Sequence, residues 1–354
     1  MSERVSEAEV SEARTGARTG ARTGRARVPW GWRRGRVLTA LAALTALVLL
    51  CHRRVPNTPG RLGSLLESFL PWFGLLATAA LLALGLLRRA PLALLALLLP
   101  VAALTYRFGG LLLPAPEPGD RDLVVVQHNA SDENGDPSGT ARSLAAAGPD
   151  LIALEELLPG ARPAYERTLA ARYPHHAVAG TVGLWSKHPL SGVRAADIKP
   201  AGITEPWSRG LRAVAGTPGQ DVAVYVAHLP SIRVGASGLA SEWRDESARK
   251  LGAAVAAEKT AAVLVLGDLN GTVDDRGLAP LTSQLDVPAR GFAFSYPAGF
   301  PAARIDQVMA RSASVGRIRT LPATGSDHLP VLARITLDDP VSAAPSASRG
   351  RSTR

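Results

Sequence analysis

The sequence predicts an α/β protein (α+β in type): a four-layer sandwich of two packed mixed β-sheets flanked by helices, preceded by three transmembrane helices. Residues 37–113 are dominated by Leu and Ala, whereas residues 120–339 have the composition of an ordinary globular domain. In the globular region, strands outnumber helices and many strands are continuous apolar runs. Such strands are usually covered on both faces. Two sheets packed face to face, with helices outside, provide that cover.

Three apolar segments precede the globular region, at residues 37–51, 68–87 and 90–106. A bilayer core needs about 20 helical residues, with a range of about 17–25. The second segment meets this length and the third is at its lower limit. The first is short and by itself resembles the core of a signal peptide, but its long Arg-rich leader and the lack of an A-x-A-like exit argue against cleavage. An alternative is that one apolar hairpin packs as a buried helical subdomain.

The placement of arginine predicts the orientation of these segments. Nine Arg residues precede the first segment, which favours a cytoplasmic N-terminus, and Arg88 and Arg89 would then also lie inside. Three crossings place residues 120–339 outside the cytoplasm, in a multi-pass protein of the cell membrane. Arg53, Arg54 and Arg61, in the first loop, partly contradict the rule.

The terminal segments carry most of the positive charge. The net charge is +10, yet residues 120–339 hold 22 Lys and Arg against 24 Asp and Glu. This distribution argues against a nucleic-acid-tracking surface on the domain itself. The leader (1–36) and the tail (340–354) are expected to be disordered, and residues 114–119 to form a Pro-rich linker. Cys51, the only cysteine, is interpreted as a membrane-interface residue, so no internal disulfide can form.

Secondary structure in the globular region follows the apolar pattern. Helices are predicted at residues 139–147, 162–172 and 241–258. Strands are predicted at residues 123–127, 151–154, 182–185, 211–215, 222–227, 262–266, 304–310 and 332–337. Polar side chains follow several of these strands, so they can converge on one edge of the sandwich.

Eight polar residues form the candidate site: Asn129, Glu156, His228, Asp268, Asn270, Asp306, Asp327 and His328. The sequence lacks a His/Cys cluster at zinc spacing, a Gly-rich phosphate loop and a G-x-S-x-G elbow. Carboxylates and carboxamides with few nitrogens suit Mg²⁺ or Mn²⁺. A hydrated divalent ion beside His and Asp suits attack of water on a phosphate ester. Taken singly, each residue also has a structural explanation, such as shaping a turn or filling a core.

Six short motifs occur in a characteristic order: Gln127-His128-Asn129, Leu154-Glu155-Glu156, His228-Leu229-Pro230, Gly267-Asp268-Leu269-Asn270, Arg304-Ile305-Asp306 and Ser326-Asp327-His328. This set resembles the endonuclease/exonuclease/phosphatase superfamily, which includes deoxyribonuclease I, inositol polyphosphate 5-phosphatases and neutral sphingomyelinases. The resemblance spans about residues 121–337. Each motif alone is weak, but six in the right order are specific.

The resemblance implies a role for the metal-binding candidates. Glu156 would be the principal Mg²⁺ ligand, Asn129 would support the metal or the scissile phosphate, and Asp327 would lie at or near the metal. Glu155 occupies a position where the family usually has Gln. It would either add negative charge beside the metal or point to the opposite face of its strand.

The resemblance also implies the catalytic roles. Asp268 would orient or deprotonate the attacking water, and Asn270 would hold a phosphoryl oxygen. His328, positioned by Asp306, would be the general base or a phosphate-binding imidazolium. His228 would bind the phosphate or protonate the leaving group.

The predicted function is therefore a membrane-tethered, Mg²⁺- or Mn²⁺-dependent hydrolase of phosphate esters, of phosphodiesterase, nuclease or phosphatase type. The substrate would be a nucleic acid, a phospholipid headgroup or an inositol phosphate, and no protein partner is expected. One departure from the family is Gln307, where many relatives carry His, Tyr or Arg. The alternative is a catalytically inactive membrane-anchored scaffold that retains the fold.

Overall fold

The computed structural model describes residues 30–58, 60–114, 122–235 and 238–339. Nine helices in these ranges are α1 Trp30–Cys51, α2 Leu62–Ser68, α3 Leu70–Leu87, α4 Pro91–Ala96, α5 Leu98–Phe108, α6 Pro137–Ala146, α7 Arg162–Leu169, α8 Glu242–Ala256 and α9 Ala279–Thr282. Most of the predicted leader and linker, and the whole predicted tail, lie outside the described residues.

The strands of the described ranges form two large sheets and one small one. They are β1 Asp122–Asn129, β2 Leu151–Glu155, β3 His175–Ala179, β4 Val182–Ser186, β5 Leu190–Ala195, β6 Gly210–Thr217, β7 Gln220–Ala227, β8 Arg233–Gly235, β9 Gly238–Ala240, β10 Ala262–Asp268, β11 Asp306–Arg311, β12 Ala313–Thr320 and β13 Val331–Leu337. One sheet has the order β12-β13-β1-β2-β4-β3 and the other the order β11-β10-β7-β6-β5; β8 pairs with β9.

Each large sheet contains one parallel pair at its centre. β1 pairs in parallel with β2, and β7 pairs in parallel with β10, while the neighbouring pairs are antiparallel. Both sheets are therefore mixed. The two parallel pairs matter for the site, because the carboxyl ends of parallel strands emerge at the same edge of a sheet.

Alternation along the strands separates the core into three layers. Val125 and Leu264 pack between the two sheets, in one continuous cluster. Val126, one residue along β1, packs on the outer side against helices α6 and α7. Val263 packs on the outer side of the second sheet against α8 and α9. Successive side chains point to opposite faces of a strand, so both sheets are buried on both faces and the predicted four-layer sandwich is confirmed.

The predicted apolar strands are all present, whereas strands with exposed or mixed faces were missed. β5 is exposed along most of its length, and β12 alternates buried and exposed residues. Together with β3, they are edge strands. Edge strands carry fewer continuous apolar residues, so a search for apolar runs does not find them. The predicted strand at residues 304–310 begins two residues later, at Asp306.

Three helical stretches are long and apolar enough to cross a membrane: Gly35–Arg54, Leu70–Leu87 and Pro91–Leu112. The third is not one continuous helix, because it is interrupted at Leu97 between α4 and α5. Pro100 explains the interruption. Proline has no backbone N–H to donate to Ala96, four residues earlier, and its ring crowds that carbonyl group.

A buried ion pair joins the helical region to the globular domain. Glu67, at the end of α2, is fully buried and accepts hydrogen bonds from the backbone and side chain of Arg276, at 2.8–2.9 Å. Arg276 also donates to the carbonyl oxygens of Val55 and His52. Burial alone would raise the pKa of Glu67, but the hydrogen bonds from Arg276 lower it below its usual value.

Three further ion pairs lie at the same junction and explain an apparent conflict in the arginine pattern. Arg61, in the first loop, pairs with Glu242 and with Asp245 of α8, and Arg107 pairs with Asp274. The loop after α1 and the end of α5 therefore both contact the globular domain. Because the charge of Arg61 is paired with acidic residues of the protein, Arg61 is weaker evidence against the predicted orientation than an unpaired cation would be.

Substituting Glu67 tests whether this junction is held by the buried pair. Glu67→Gln leaves the Arg276 guanidinium without its carboxylate, which we expect to cost on the order of 3 kcal/mol. The matched control is Glu242→Gln, which removes an exposed partner of Arg61 and should cost about 0–1 kcal/mol. Thermal unfolding of the full chain in detergent measures both, and equal shifts would contradict the proposed difference.

The same pair gives a pH dependence of stability. The pKa of Glu67 is lowered in the folded protein. The contribution of ionised Glu67 to the free energy of unfolding is therefore fully present above its pKa in the unfolded chain, about 4.3. The contribution is lost as the pH falls through the folded pKa. The difference in stability between wild type and Glu67→Gln should therefore be full at pH 7 and shrink in acid.

Candidate active site

The two parallel strand pairs bring the candidate residues to one edge of the sandwich. Asn129 ends β1 beside Glu155, the last residue of β2. His228 follows β7, and Asp268 ends β10. Asp306 begins β11, which runs antiparallel to β10, and the register pairs it directly with Asp268. Polar residues far apart in sequence thus meet because of strand direction and register.

His328 and Asp306 form a buried ion pair. The Nδ1 atom of His328 lies 2.8 Å from Oδ2 of Asp306. Burial by itself opposes a charged imidazole, but the carboxylates of Asp306, Asp268 and Asp327 raise the pKa of His328 to about 10. An ionised Asp306 accepts only, so Nδ1 of His328 donates the hydrogen. His328 is therefore an imidazolium whose Nε2 faces the rest of the site.

Asp268 lies at the centre of the cluster. It accepts hydrogen bonds from the side chain of Asn129 at 3.1 Å and from the backbone of Asn270 at 2.9 Å. Its Oδ2 atom lies 3.7 Å from Nε2 of His228 and 3.8 Å from Nε2 of His328. Burial and the nearby Asp306 raise the pKa of Asp268 to about 7, so this carboxyl can gain and lose a proton near neutral pH.

A glycine permits the contact between the strands that carry Asp268 and His228. Gly267 has a φ of +155°, and an added Cβ atom would lie 1.9 Å from the carbonyl oxygen of Ala227. Just beyond this close approach, the backbone N–H of Leu229 donates to the carbonyl of Asp268 at 2.9 Å. The absence of a side chain at Gly267 therefore allows the two strand ends to pair.

His228 directs an unpaired nitrogen into the site. The Arg209 guanidinium lies 3.4 Å from its Nδ1 atom. A guanidinium only donates, so Nδ1 accepts and Nε2 carries the hydrogen. Nε2 is buried without a hydrogen-bond partner, at 3.8 Å from Oε1 of Glu156 and 3.7 Å from Oδ2 of Asp268. Burial, followed by Arg209 and His328, lowers the pKa of His228 to about 3, so this histidine is neutral.

Glu156 and Asn270 both adopt left-handed backbone conformations, with φ of +54° and +46°. Such conformations are uncommon outside glycine and concentrate at functional sites. For Glu156 the turn directs the carboxylate towards His228, while its second oxygen accepts from the backbone of Asp132 at 3.2 Å. The side-chain amide of Asn270 donates to the carbonyl of Leu229 at 2.9 Å.

Gln127, which is absent from the eight candidates, lies between two carboxyl groups. Its Nε2 atom donates to Glu155 at 2.6 Å and to Asp306 at 3.0 Å. Glu155 is fully buried, and burial, followed by Asp306, raises its pKa well above the usual value. Glu155 therefore faces the interior behind the site and is a neutral acid. Its place in the motif 127–129 was the only sequence signal for Gln127.

The donor set is suited to a hard divalent cation. Asp268, Asp306 and His328 each offer a ligating atom, and these atoms lie within 4.8 Å of one another. Asp306 and His328 already form an ion pair with each other, at 2.8 Å. Oxygen atoms of Glu156 and Asp268 instead flank the unpartnered Nε2 of His228, and burial, followed by the charge of Asp306, raises the pKa of Asp268. An added positive charge between oxygen donors would relieve the crowding of these carboxyl groups.

Asp327 is the one exposed residue among the eight candidates. Its backbone carbonyl oxygen accepts a hydrogen bond from the backbone N–H of Ala298 at 2.7 Å. Its charge nevertheless contributes to the raised pKa of His328. The other seven candidates line the strand ends, and the ring of Tyr296 lies against His328 with centroids 4.8 Å apart.

The close approach at Gly267 can be tested by adding one methyl group. In Gly267→Ala the Cβ atom would overlap the Ala227 carbonyl, so one strand end must move and the protein should lose at least about 1–3 kcal/mol. Gly160→Ala is the control, because its added Cβ would meet nothing within 4 Å. Thermal unfolding compares the variants, and a Gly267→Ala protein as stable as the control would contradict the close contact.

Similar folds occur in solved structures of low sequence identity. Humanised D. rerio TDP2 matches with a TM-score of 0.50 and 18% identity, over 61% of this chain and 99% of that one. Sphingomyelinase C from Streptomyces griseocarneus matches with a TM-score of 0.46 and 21% identity, over 63% of this chain and 99% of the other. An endonuclease/exonuclease/phosphatase protein from Beutenbergia cavernae gives a TM-score of 0.49 and 20% identity, over 62% and 72% of the two chains.

These similarities concern the fold alone, and a search of curated proteins gave no match. The sequence itself matches the Endonuclease/Exonuclease/phosphatase family over residues 126–328, which is more than half of the chain. The match contains all of the motifs described above. This chain therefore belongs to the endonuclease/exonuclease/phosphatase family, whose members are metal-dependent phosphoesterases.

Proposed function

We propose that this protein is a membrane-tethered hydrolase of phosphate esters that depends on a divalent metal ion, Mg²⁺ or Mn²⁺. The observation that supports this most is the meeting of Glu156, His228, Asp268 and the His328–Asp306 pair at one sheet edge. Fold alone does not assign a reaction. In this arrangement a proton acceptor, Asp268, lies beside two imidazole donors, His228 and His328.

Glu156 is the residue that would hold the metal ion, and Asn129, whose side-chain amide orients Asp268, would support the ion. Asp327 would act on the site through its charge. When bound, a divalent ion stabilises negative charge on phosphoryl oxygens and lowers the pKa of water. Mg²⁺ keeps several water ligands and needs only one or two protein carboxylates, so Glu156 can anchor an ion that stays largely hydrated.

Asp268 is the group best placed to accept a proton from the attacking water. Its pKa of about 7 matches that role near neutral pH, and the backbone of Asn270 fixes the orientation of its carboxylate. A general base works best when its pKa is close to the working pH. Asn270 would then support the base and the loop, since its side-chain amide already contacts Leu229.

The two histidines would bind the phosphate. His328 is an imidazolium positioned by Asp306, so its Nε2–H can donate to a phosphoryl oxygen and offset negative charge. His228 is neutral and its free Nε2–H can donate to a second oxygen or to the leaving group. Donors aimed at developing charge stabilise the transition state.

Tethering to the cell membrane, with the hydrolase domain outside the cytoplasm, is supported by the three apolar helical stretches and the arginine pattern. The loop after α1 and the end of α5 contact the domain, as expected for an odd number of crossings. The near-neutral charge of the domain favours a lipid-linked or small phosphate ester over a long nucleic acid.

Two substitutions test the catalytic proposal. Glu156→Ala removes a metal ligand, and His328→Ala removes the charged phosphate donor. Each should lower kcat/KM on bis(p-nitrophenyl) phosphate by about 100-fold or more. The full chain in detergent is assayed with added Mg²⁺ or Mn²⁺, and with EDTA, which should abolish turnover.

Matched controls are Glu133→Ala, at an exposed position, and His175→Ala, outside the site. Both should retain wild-type activity. Unchanged turnover in Glu156→Ala and His328→Ala would remove the proposed site. A folded wild-type protein that hydrolyses no phosphodiester or phosphomonoester with either metal would instead favour the inactive scaffold.

The orientation predicts the result of a reporter fusion. Alkaline phosphatase, which is active only outside the cytoplasm, should be active when fused after residue 339. The same enzyme fused at residue 89, between the second and third segments, should be inactive. The reverse pattern would contradict the proposed topology.

A further inference from the structure

An aromatic cleft lies where the last two apolar helices meet the globular domain. Its apolar part has a volume of about 400 Å³ and is lined by Trp72 and Leu75 of α3, by Leu104 and Phe108 of α5, and by Phe292 and Phe294 of the domain. A second cavity of about 320 Å³ shares Trp72, Phe108, Phe292 and Phe294 with it, so the two form one continuous cleft.

The apolar part of the cleft is built from helices that are long and apolar enough to cross a membrane. Leu75 and Leu112, which line it, are 52% and 76% exposed. In a bilayer the neighbours of such residues are lipid chains. The aromatic rings of Trp72 and Phe294, with centroids 5.6 Å apart, form the wall at the junction with the domain, where aromatic side chains are enriched in membrane proteins.

The second part of the cleft contains a buried cation that forms no direct ion pair within the described ranges. Arg304 lines this part and is 6% exposed. Its hydrogen bond goes to the carbonyl oxygen of Gly291, at 3.4 Å, and within the described ranges it forms no ion pair. The charge of Asp274 acts on Arg304 from across the cavity, but Asp274 is paired directly with Arg107, so two cations face one carboxylate there. A buried guanidinium without a carboxylate is costly unless an anion compensates it.

We infer that this cleft binds one anionic phospholipid of the membrane, with an acyl chain along the aromatic wall and the headgroup phosphate at Arg304. A soluble anion would account for Arg304 but would leave the adjoining apolar part empty. A second protein helix would cover the apolar part but would supply no anion. A phospholipid supplies both chemistries, in the order in which the cleft presents them.

The lipid site is distinct from the catalytic site but shares its loops. The cleft is bounded by Thr272 and Asp274, which follow Asn270, and by Ala302 and Arg304, which precede Asp306. The indole nitrogen of Trp72 donates to the carbonyl of Ala302 at 2.6 Å. A bound lipid would therefore stabilise two segments that lead directly into the active site. This inference rests on the membrane part of the proposed function and not on its chemistry.

The test measures lipid binding by the full chain, purified in a neutral detergent and titrated with phosphatidylglycerol or phosphatidylcholine. Retained lipid is counted by native mass spectrometry, and the melting temperature is followed in parallel. One phosphatidylglycerol should be retained and should raise the melting temperature, and phosphatidylcholine should bind at least tenfold more weakly. Equal retention of the two lipids would overturn the headgroup assignment.

Two adjacent leucines of α3 provide a matched pair of variants. Leu75→Trp fills the cleft and should weaken phosphatidylglycerol binding at least tenfold. Leu76→Trp, at a position that is 64% exposed and does not line the cleft, should bind as wild type does. Equal binding by both variants would overturn the proposed site. Neither substitution alters a packed core position, so both variants should fold.

Arg304→Gln and Arg304→Lys separate charge from position. Arg304→Gln should lose the preference for phosphatidylglycerol, whereas Arg304→Lys should keep part of it. A preference unchanged in Arg304→Gln would overturn the role of Arg304. Repeating the titration in the Glu156→Ala background should leave lipid binding intact, so that failure of the lipid site can be told from failure of the catalytic proposal.

Discussion

Crowding of buried acidic groups at one edge of the sandwich governs how this site is organised. Asp268, Asp306 and Glu155 lie close together away from water, and each responds in a different way. Burial and the neighbouring Asp306 keep Glu155 neutral, the charge on His328 keeps Asp306 ionised, and Asp268 is left with a pKa near neutral. Gln127, which donates to both Glu155 and Asp306, holds the neutral and the ionised acid side by side.

The backbone makes this crowding possible. Parallel pairing of β7 with β10 brings His228 and Asp268 to the same edge, and the missing side chain of Gly267 lets their strand ends approach. The antiparallel partner β11 then starts at Asp306 directly opposite Asp268. Since both sheets are buried on both faces, the strand ends that carry these polar side chains have little freedom to move.

The segment 270–276 links the candidate site to the apolar helices. Arg244 is fully buried and joins the carbonyl of Asn270 to Asp275, and the adjacent Arg276 binds Glu67 beneath the apolar helices. The segment 270–276 is thus fixed at one end by the active site and at the other by the junction. The aromatic cleft lies against the same segment. Binding of the proposed lipid would therefore bring the lipid, the junction and the loop at the candidate site into one contiguous set of contacts.

The sequence by itself determined the class of fold, the apolar strands, the three apolar segments and most of the polar residues that meet at the sheet edge, because continuous apolar runs and ordered motifs are local signals. It did not show the edge strands β3, β5 and β12, whose mixed faces resemble loops. Only the tertiary structure decided that Gln127 bridges two acids, that Arg209 sets the tautomer of His228, and that Arg304 is buried without a direct ion pair in the described ranges. Each of these depends on residues distant in the chain meeting in a low-dielectric interior, and no local pattern of residues records such a meeting.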